Sequence, residues 1–463
     1  MAVVTGKSKV SQPPGCAVSL HNSRIVIHSR GLQFSLIVFA IELGVRVALI
    51  LTYPDNYSMD AYQRWGGREH LLIQDWLPAT QSLIWFVDLL GGGILMMRMV
   101  MAVIAALAVT AGAWVARHLG GTAAGWLFIP IGLFGPFLTW SVVPYQEGMF
   151  LLGTFGALAL ALEASSRGLS RNDSLWKMAD ITAGLIPLVR YEGWPVTVLY
   201  IIWRRDPRAL VALWGAGLWM VIKFIGIESH AASPVNFADW EGISNRFDPQ
   251  VLTSTLGKLW RHMLDTKGIA LLVMGSAAWI HLIKRSRPSS LLLGLILAGQ
   301  LAAMLGWLIG LETATYRMQA IPGVLLGLFV AASGGILWEQ RQWPSRTIIA
   351  VVALISSIAF IQQGFNNAYR STRSVRWEIR LVEQMNACTE CRYLIKPRKG
   401  LGTRNRHDGC EIIQGLGTSL HGDQFWCQLW APAPDNFKAT HAVRWRKGGY
   451  VIRDARKQDR ENK

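Results

Sequence analysis

Charge is scarce in this chain. Of its 463 residues only 16% are Asp, Glu, Lys or Arg, and 51% are hydrophobic. A soluble domain carries about 25% charged residues, so the shortage excludes an ordinary soluble globule. Acids are the scarcest: 29 Asp and Glu stand against 46 Lys and Arg, giving a formal net charge of +17. The basic residues sit in short clusters between apolar runs. That scatter excludes a continuous nucleic-acid-binding patch and fits loops facing anionic headgroups. The short alternating segments of a β-barrel are missing. No convincing internal repeat is present, which argues against an inverted-repeat transporter. No small-residue cleavage site closes the first apolar run, so it reads as a signal anchor.

What the chain has in abundance is long apolar runs, many reaching the roughly 20 residues that cross a bilayer. The expected spans are 34–53, 95–116, 123–143, 147–165, 179–190, 193–203, 208–227, 268–283, 289–311, 318–338 and 346–364. The pieces 179–190 and 193–203 are each too short to cross alone. Residues 77–93 read as a partial span or an interfacial helix. Many of the 21 Trp lie near the ends of these runs, as interfacial anchors do. The expected architecture is an all-α polytopic membrane protein with about 11 transmembrane helices.

Three regions follow: a basic tail at 1–33, disordered or on the cytoplasmic surface; a transmembrane region at 34–364; and a soluble C-terminal region at 365–463, α+β or irregular. Clusters 1–33, 166–178, 204–208 and 284–287 are net positive, and 54–75 holds four acids against two arginines. The positive-inside rule then places the N-terminus in the cytoplasm. Loops 54–78 and 228–267 and the C-terminal region fall on the exoplasmic side of a plasma or inner membrane. Cys388, Cys391, Cys410 and Cys427 form an even set there, read as two disulfides of unknown pairing. A zinc site is the weaker alternative, because Cys410 and Cys427 are not a second close pair.

Ionisable groups at membrane depth are costly and call for an explanation. Glu42 and Arg46 share a face of the first span at i, i+4, as a structural ion pair or a shaper of the site above. Glu147 opens a helix after Pro144 in "SVVPYQEGMFLL", where the helix dipole favours an acid. Arg190 and Glu192 interrupt an apolar stretch in "LVRYEGWP". An unwound turn at that depth is tolerated only under protein or beside a wet cavity. Tyr316 and Arg317, in "TYRMQAIPG", lie at the outer mouth of a late span. The acids of the first loop, Glu147, Arg190 and Arg317 fall on one side of the membrane, a pattern suited to an anionic lipid substrate.

Four segments together resemble the GT-C superfamily of membrane glycosyltransferases, over roughly residues 30–365. They are "MDAYQRWGGREHLLIQDWLPATQSLIW", "PYQEGMFLLGTFGALALALE", "LVRYEGWPV" and "TYRMQAIPGVLLGL". Two departures stand out: the loop lacks the family's adjacent acidic pair, and the late element reads "YR" rather than "RY". The resemblance implies a polyprenyl-phosphate sugar donor, used on the exoplasmic face with inversion. The acceptor would be a protein, a lipid or a glycan. It implies Asp60 as general base, with Asp75 second. Arg190 and Arg317 would stabilise the leaving phosphate, and Glu147, Glu192 and Tyr316 would help to bind donor phosphate and sugar. Tyr62, Trp65 and Trp76 are sugar platforms or membrane anchors. No cofactor is obligatory, although "DWE" at 239–241 leaves room for a divalent metal. The competing functions are a transporter or lipid-sugar flippase, which would use Glu42, Arg46 and Arg190 as a relay, and an oligosaccharide ligase.

Overall fold

The computed structural model describes residues 17–55, 61, 64–65, 68, 77–224, 253, 266–285, 287–311, 319–340, 343–386, 393–396, 425–427, 439–446 and 449–454. Helix α1 (Ala17–Thr52) is followed by α2 (Pro78–Leu89) and α3 (Ile94–Gly120). Three short pieces come next: α4 (Thr122–Leu127), α5 (Ile129–Gly132) and α6 (Gly135–Trp140). Then follow α7 (Glu147–Ser166), α8 (Ser174–Leu185), a 3-10 turn (Ile186–Leu188) and α9 (Gly193–Arg204). A second 3-10 segment (Pro207–Leu213) leads into α10 (Trp214–Phe224). The late helices are α11 (Thr266–Ile283), α12 (Arg287–Leu311), α13 (Ala320–Gln340) and α14 (Trp343–Asn386).

Five stretches are long and apolar enough to cross a bilayer: Gly31–Thr52, Ile94–Gly120, Glu147–Ser166, Ala320–Gln340 and Arg346–Thr372. The chain is thus a multi-pass, mainly helical membrane protein. The expected tail at 1–33 is in part a continuation of α1, which starts at Ala17. No proline or glycine lies between Gly15 and Gly31 to stop a helix running upstream from the span. The expected single span at 123–143 is three pieces instead. Gly121 lies at φ +84°, and Pro130 and Pro136 open α5 and α6, where a proline is tolerated at the start but not in the middle.

Helix α13 is the buried centre, and α3 packs between α1 and α7. Small residues permit the closest approach. A side chain on Gly120 would meet the Ala332 backbone, and one on Gly335 would meet Ala124. At the periphery, α14 presents Ile348, Val351, Val352, Leu354, Ile355 and Ile358 outward, as a lipid-facing helix does. This helix does not end near residue 364 but continues to Asn386. After Pro344 it contains no proline and only one glycine, Gly364.

Beyond it lies a four-stranded sheet of β1 (Tyr393–Lys396), β2 (Phe425–Cys427), β3 (His441–Arg446) and β4 (Gly449–Asp454), in the order β2-β1-β3-β4. Strand β1 runs parallel to β2 and β3, and β3 and β4 form an antiparallel hairpin. The Tyr393 hydroxyl donates to the Met385 carbonyl at 3.3 Å, docking β1 on the tip of α14. The rings of Phe365 and Tyr369 lie 6.1 and 6.3 Å from Tyr53, just past the end of α1. The far end of α14 and the start of the first loop therefore share one face of the bundle.

Candidate functional site

The α8–α9 hairpin carries the clearest polar cluster on that face. Pro187 tightens the end of α8 into the 3-10 turn. The chain then bends through Arg190 and Tyr191, with Gly193 N–H donating to the Arg190 carbonyl at 2.9 Å. Gly193 is required there, because a Cβ would come within 2.4 Å of the Ile186 carbonyl oxygen. The bend aims Arg190 at the first residue of α7. Its Nη1 donates to Glu147 Oε1 at 3.0 Å. Its Nε and Nη2 donate to the two Glu192 oxygens at 3.2 and 2.9 Å. The fork geometry suits a guanidinium and not an ammonium. Glu147 is buried, and Arg190 and Glu192 keep 17% and 15% of their side-chain surface. Arg190 thus bridges two carboxylates from separate segments.

The first loop meets this cluster where it returns to the membrane. Leu77 is buried in one apolar cluster with Leu188 and Trp219, flanked by Tyr191 and Trp194. The Thr80 hydroxyl donates to Met149 Sδ at 3.7 Å, close to Glu147 in the chain. On the loop's outgoing limb, Ala61 and Trp65 share a buried cluster with Val143 and Tyr145, ahead of Glu147. Gln81 Nε2 donates to the Arg64 carbonyl at 3.3 Å, and Arg68 pairs with Asp88 at 2.9 Å. Asp60, Tyr62, Asp75, Trp76, Tyr316 and Arg317 lie outside the described residues, as do Cys388, Cys391 and Cys410. Cys427 is placed in β2.

A residue not anticipated from the sequence holds these parts together. Arg98, fully buried in α3, donates to the Tyr53 carbonyl at 2.8 Å, to the Pro54 carbonyl, and to the Val142 carbonyl at 3.2 Å. One side chain thus ties the root of the first loop to the segment that leads into Glu147. A lone arginine in "ILMMRMVMAV" was the available signal.

Two further polar groups are structural. Glu42 and Arg46 are ion-paired with no exposure. Arg46 also donates to Ser141 Oγ at 3.1 Å and to the Gly132 carbonyl at 2.9 Å, clamping α1 onto α5 and the end of α6. At the other end of the α8–α9 hairpin, Asp180 accepts from Tyr200 at 2.7 Å and from Arg204 at 3.1 and 3.3 Å. The Arg204 guanidinium stacks 3.7 Å over the Trp176 ring. Asp180 and its partners were also missed from the sequence. Among the described residues, no three His, Cys, Asp or Glu side chains converge as a metal site.

No protein-family model and no curated protein matches the sequence. Solved structures do. The fold resembles that of the Archaeoglobus fulgidus oligosaccharyltransferase tethered to an acceptor peptide. The TM-score is 0.50 at 14% identity, covering 83% of this chain and 63% of that one. ArnT from Cupriavidus metallidurans bound to undecaprenyl phosphate aligns at TM-score 0.48 and 13% identity, over 93% of this chain and 97% of that one. The chain spans less than two thirds of the oligosaccharyltransferase it matches. At this identity the likeness is one of fold alone.

Proposed function

We propose that the protein is a membrane glycosyltransferase that moves a sugar from a polyprenyl-phosphate donor to an acceptor hydroxyl at the face bearing the first loop. The observation that carries this reading is the Glu147–Arg190–Glu192 triad, set in an unwound turn against which Leu77 packs. Polar groups gathered at one membrane face fit a reaction on a lipid headgroup. A relay would need them strung along the bilayer midplane. The Glu42–Arg46 pair, midway along the first span, is closed by Ser141 and Gly132, which counts against a transporter.

In this reading the bundle crosses the bilayer about eleven times, with the N-terminus cytoplasmic and the first loop and C-terminal sheet exoplasmic. The acceptor hydroxyl loses its proton to a first-loop carboxylate as it attacks the anomeric carbon, with inversion. Asp60, next to the buried Ala61, is the first choice of base. Asp75, two residues before Leu77, is the second. Glu147 and Glu192 orient the Arg190 guanidinium, which stabilises the departing phosphate. Arg317 is the complementary cation, with Tyr316 beside it. Glu147 and Glu192 fix Arg190 and accept hydrogen bonds from sugar hydroxyls, while Tyr62 and Trp76 flank the sugar. A divalent metal is not required by this scheme. The acceptor is a protein, a lipid or a glycan.

The test is transfer of labelled sugar by purified protein supplied with polyprenyl-phosphate sugars and membrane extract. Asp60→Asn should abolish transfer, and full activity in that variant would remove Asp60 as base and pass the role to Asp75. No transfer from any donor would overturn the assignment. Labelling of Ser58→Cys and Ser286→Cys should occur from opposite sides of the membrane.

A further inference from the structure

The face of the bundle opposite the first loop carries an arginine held in an unusual way. Arg117 lies 19 residues after Arg98 on α3, about 28 Å along a helix, which is the thickness of the hydrocarbon core. It therefore sits at headgroup depth in the other leaflet. Its guanidinium lies 4.9 Å from the Trp114 ring and 5.7 Å from the Phe34 ring. Both rings are fixed. Trp114 Nε1 donates to Ser35 Oγ at 2.7 Å, and Phe34 meets Trp126 edge-on at 4.9 Å. Gly125 keeps the cradle open, since a Cβ there would come within 2.8 Å of the Phe34 ring.

Among the described residues Arg117 has no ion-pair partner. The nearby acid on α7, Glu163, is engaged by His118 at 3.1 Å and by Arg167 at 2.6 Å. Stacking covers the faces of a guanidinium and leaves its N–H edge for oxygen pairs. Glu339 of α13 packs against Gly121, one turn beyond Arg117, and makes no ion pair with Arg117. A half-buried cation in an aromatic cradle at headgroup depth, with no carboxylate paired to it among the described residues, calls for an anion from the bilayer itself. Trp126 is 40% exposed beside it and supplies a wall for the glycerol and upper acyl region.

We propose that Arg117, Trp114, Phe34 and Trp126 form a binding site for the phosphate of an anionic phospholipid in the leaflet opposite the candidate catalytic face. The site is independent of the glycosyltransferase reading. The test is native mass spectrometry of the full chain in detergent, titrated with phosphatidylglycerol or phosphatidylcholine, with thermal unfolding measured in parallel. The wild type should retain phosphatidylglycerol over phosphatidylcholine. Arg117→Gln should weaken that retention at least tenfold, the scale of one charge-assisted contact. Arg117→Lys keeps the charge but loses the stacked fork, and should fall between the two. It decides the matter if the Gln variant does not fold. Arg167→Gln should leave retention unchanged. Equal retention of both lipids, native retention by Arg117→Lys, or displacement of the lipid by millimolar inorganic phosphate would each overturn the proposal.

Discussion

Arg190→Lys is the substitution that tests the triad most directly. The change keeps the charge and removes the fork. Arginine makes one contact to Glu147 and two to Glu192, between 2.9 and 3.2 Å. An ammonium is a compact point charge on a different stem and cannot reproduce all three directions. Hydrogen bonds to charged groups contribute about 1.5–3 kcal/mol each. Lysine keeps its attraction to one carboxylate and loses the geometry of the other two bonds. The expected cost is about 2–4 kcal/mol, or about 30- to 900-fold in a rate or equilibrium that depends on the triad. If the triad positions groups around the donor, kcat/KM for sugar transfer falls, and the thermal midpoint falls with it because the buried Glu147 loses part of its pairing. Arg68→Lys is the control, because its partner Asp88 is one-third exposed and the pair contributes little. A cycle of Glu147→Gln and Arg190→Gln should be non-additive by at least about 1 kcal/mol. Transfer within twofold of wild type in Arg190→Lys, together with an additive cycle, would show that the three residues do not act as a unit.

Three other outcomes are expected. Arg204→Met removes the only charge on Asp180 among the described residues and leaves a buried carboxylate, so detergent-solubilised protein should lose about 3–5 kcal/mol of stability; an unchanged unfolding midpoint would contradict this. Gly193→Ala forces a methyl group against the Ile186 carbonyl, and should lower transfer by tenfold or more while Arg204 and Asp180 still hold the far end of the hairpin. Arg98→Gln should loosen the root of the first loop, seen as faster proteolysis within 54–78 than in the wild type; equal cleavage rates would mean that the loop is anchored elsewhere.

Five of the expected spans, near 34–53, 95–116, 147–165, 318–338 and 346–364, could be read from the sequence because lipid demands a long apolar run for a crossing. The break in "LVRYEGWP" was equally visible, since Arg, Glu, Gly and Pro together cannot continue a helix in hydrocarbon. What could not be read was partnership. Glu147 and Arg190 are 43 residues apart, and only the packing of α7 against α8 brings them together. Arg98 and Asp180 were passed over because each is a single charge in a greasy run, whose partners are backbone carbonyls or a distant arginine. The limit of α14 was misjudged because hydropathy falls at residue 364, but nothing in the following sequence stops a helix. Asp60 and Asp75 stay at the level of sequence, the one next to the buried Ala61 and the other two residues before the buried Leu77.

Helix α14 has a mechanical consequence. Its 44 residues make a rod of about 66 Å, and the part beyond Thr372 projects about 21 Å to the sheet at its tip. The membrane half touches lipid along most of its length, and the aqueous half has no breaker that could act as a joint. Sheet and bilayer are therefore coupled as the two ends of a lever. If a thinner membrane tilted the helix by about 20°, the sheet at its tip would be displaced by about 7 Å. Bilayer thickness would then set how far the sheet stands from the membrane surface.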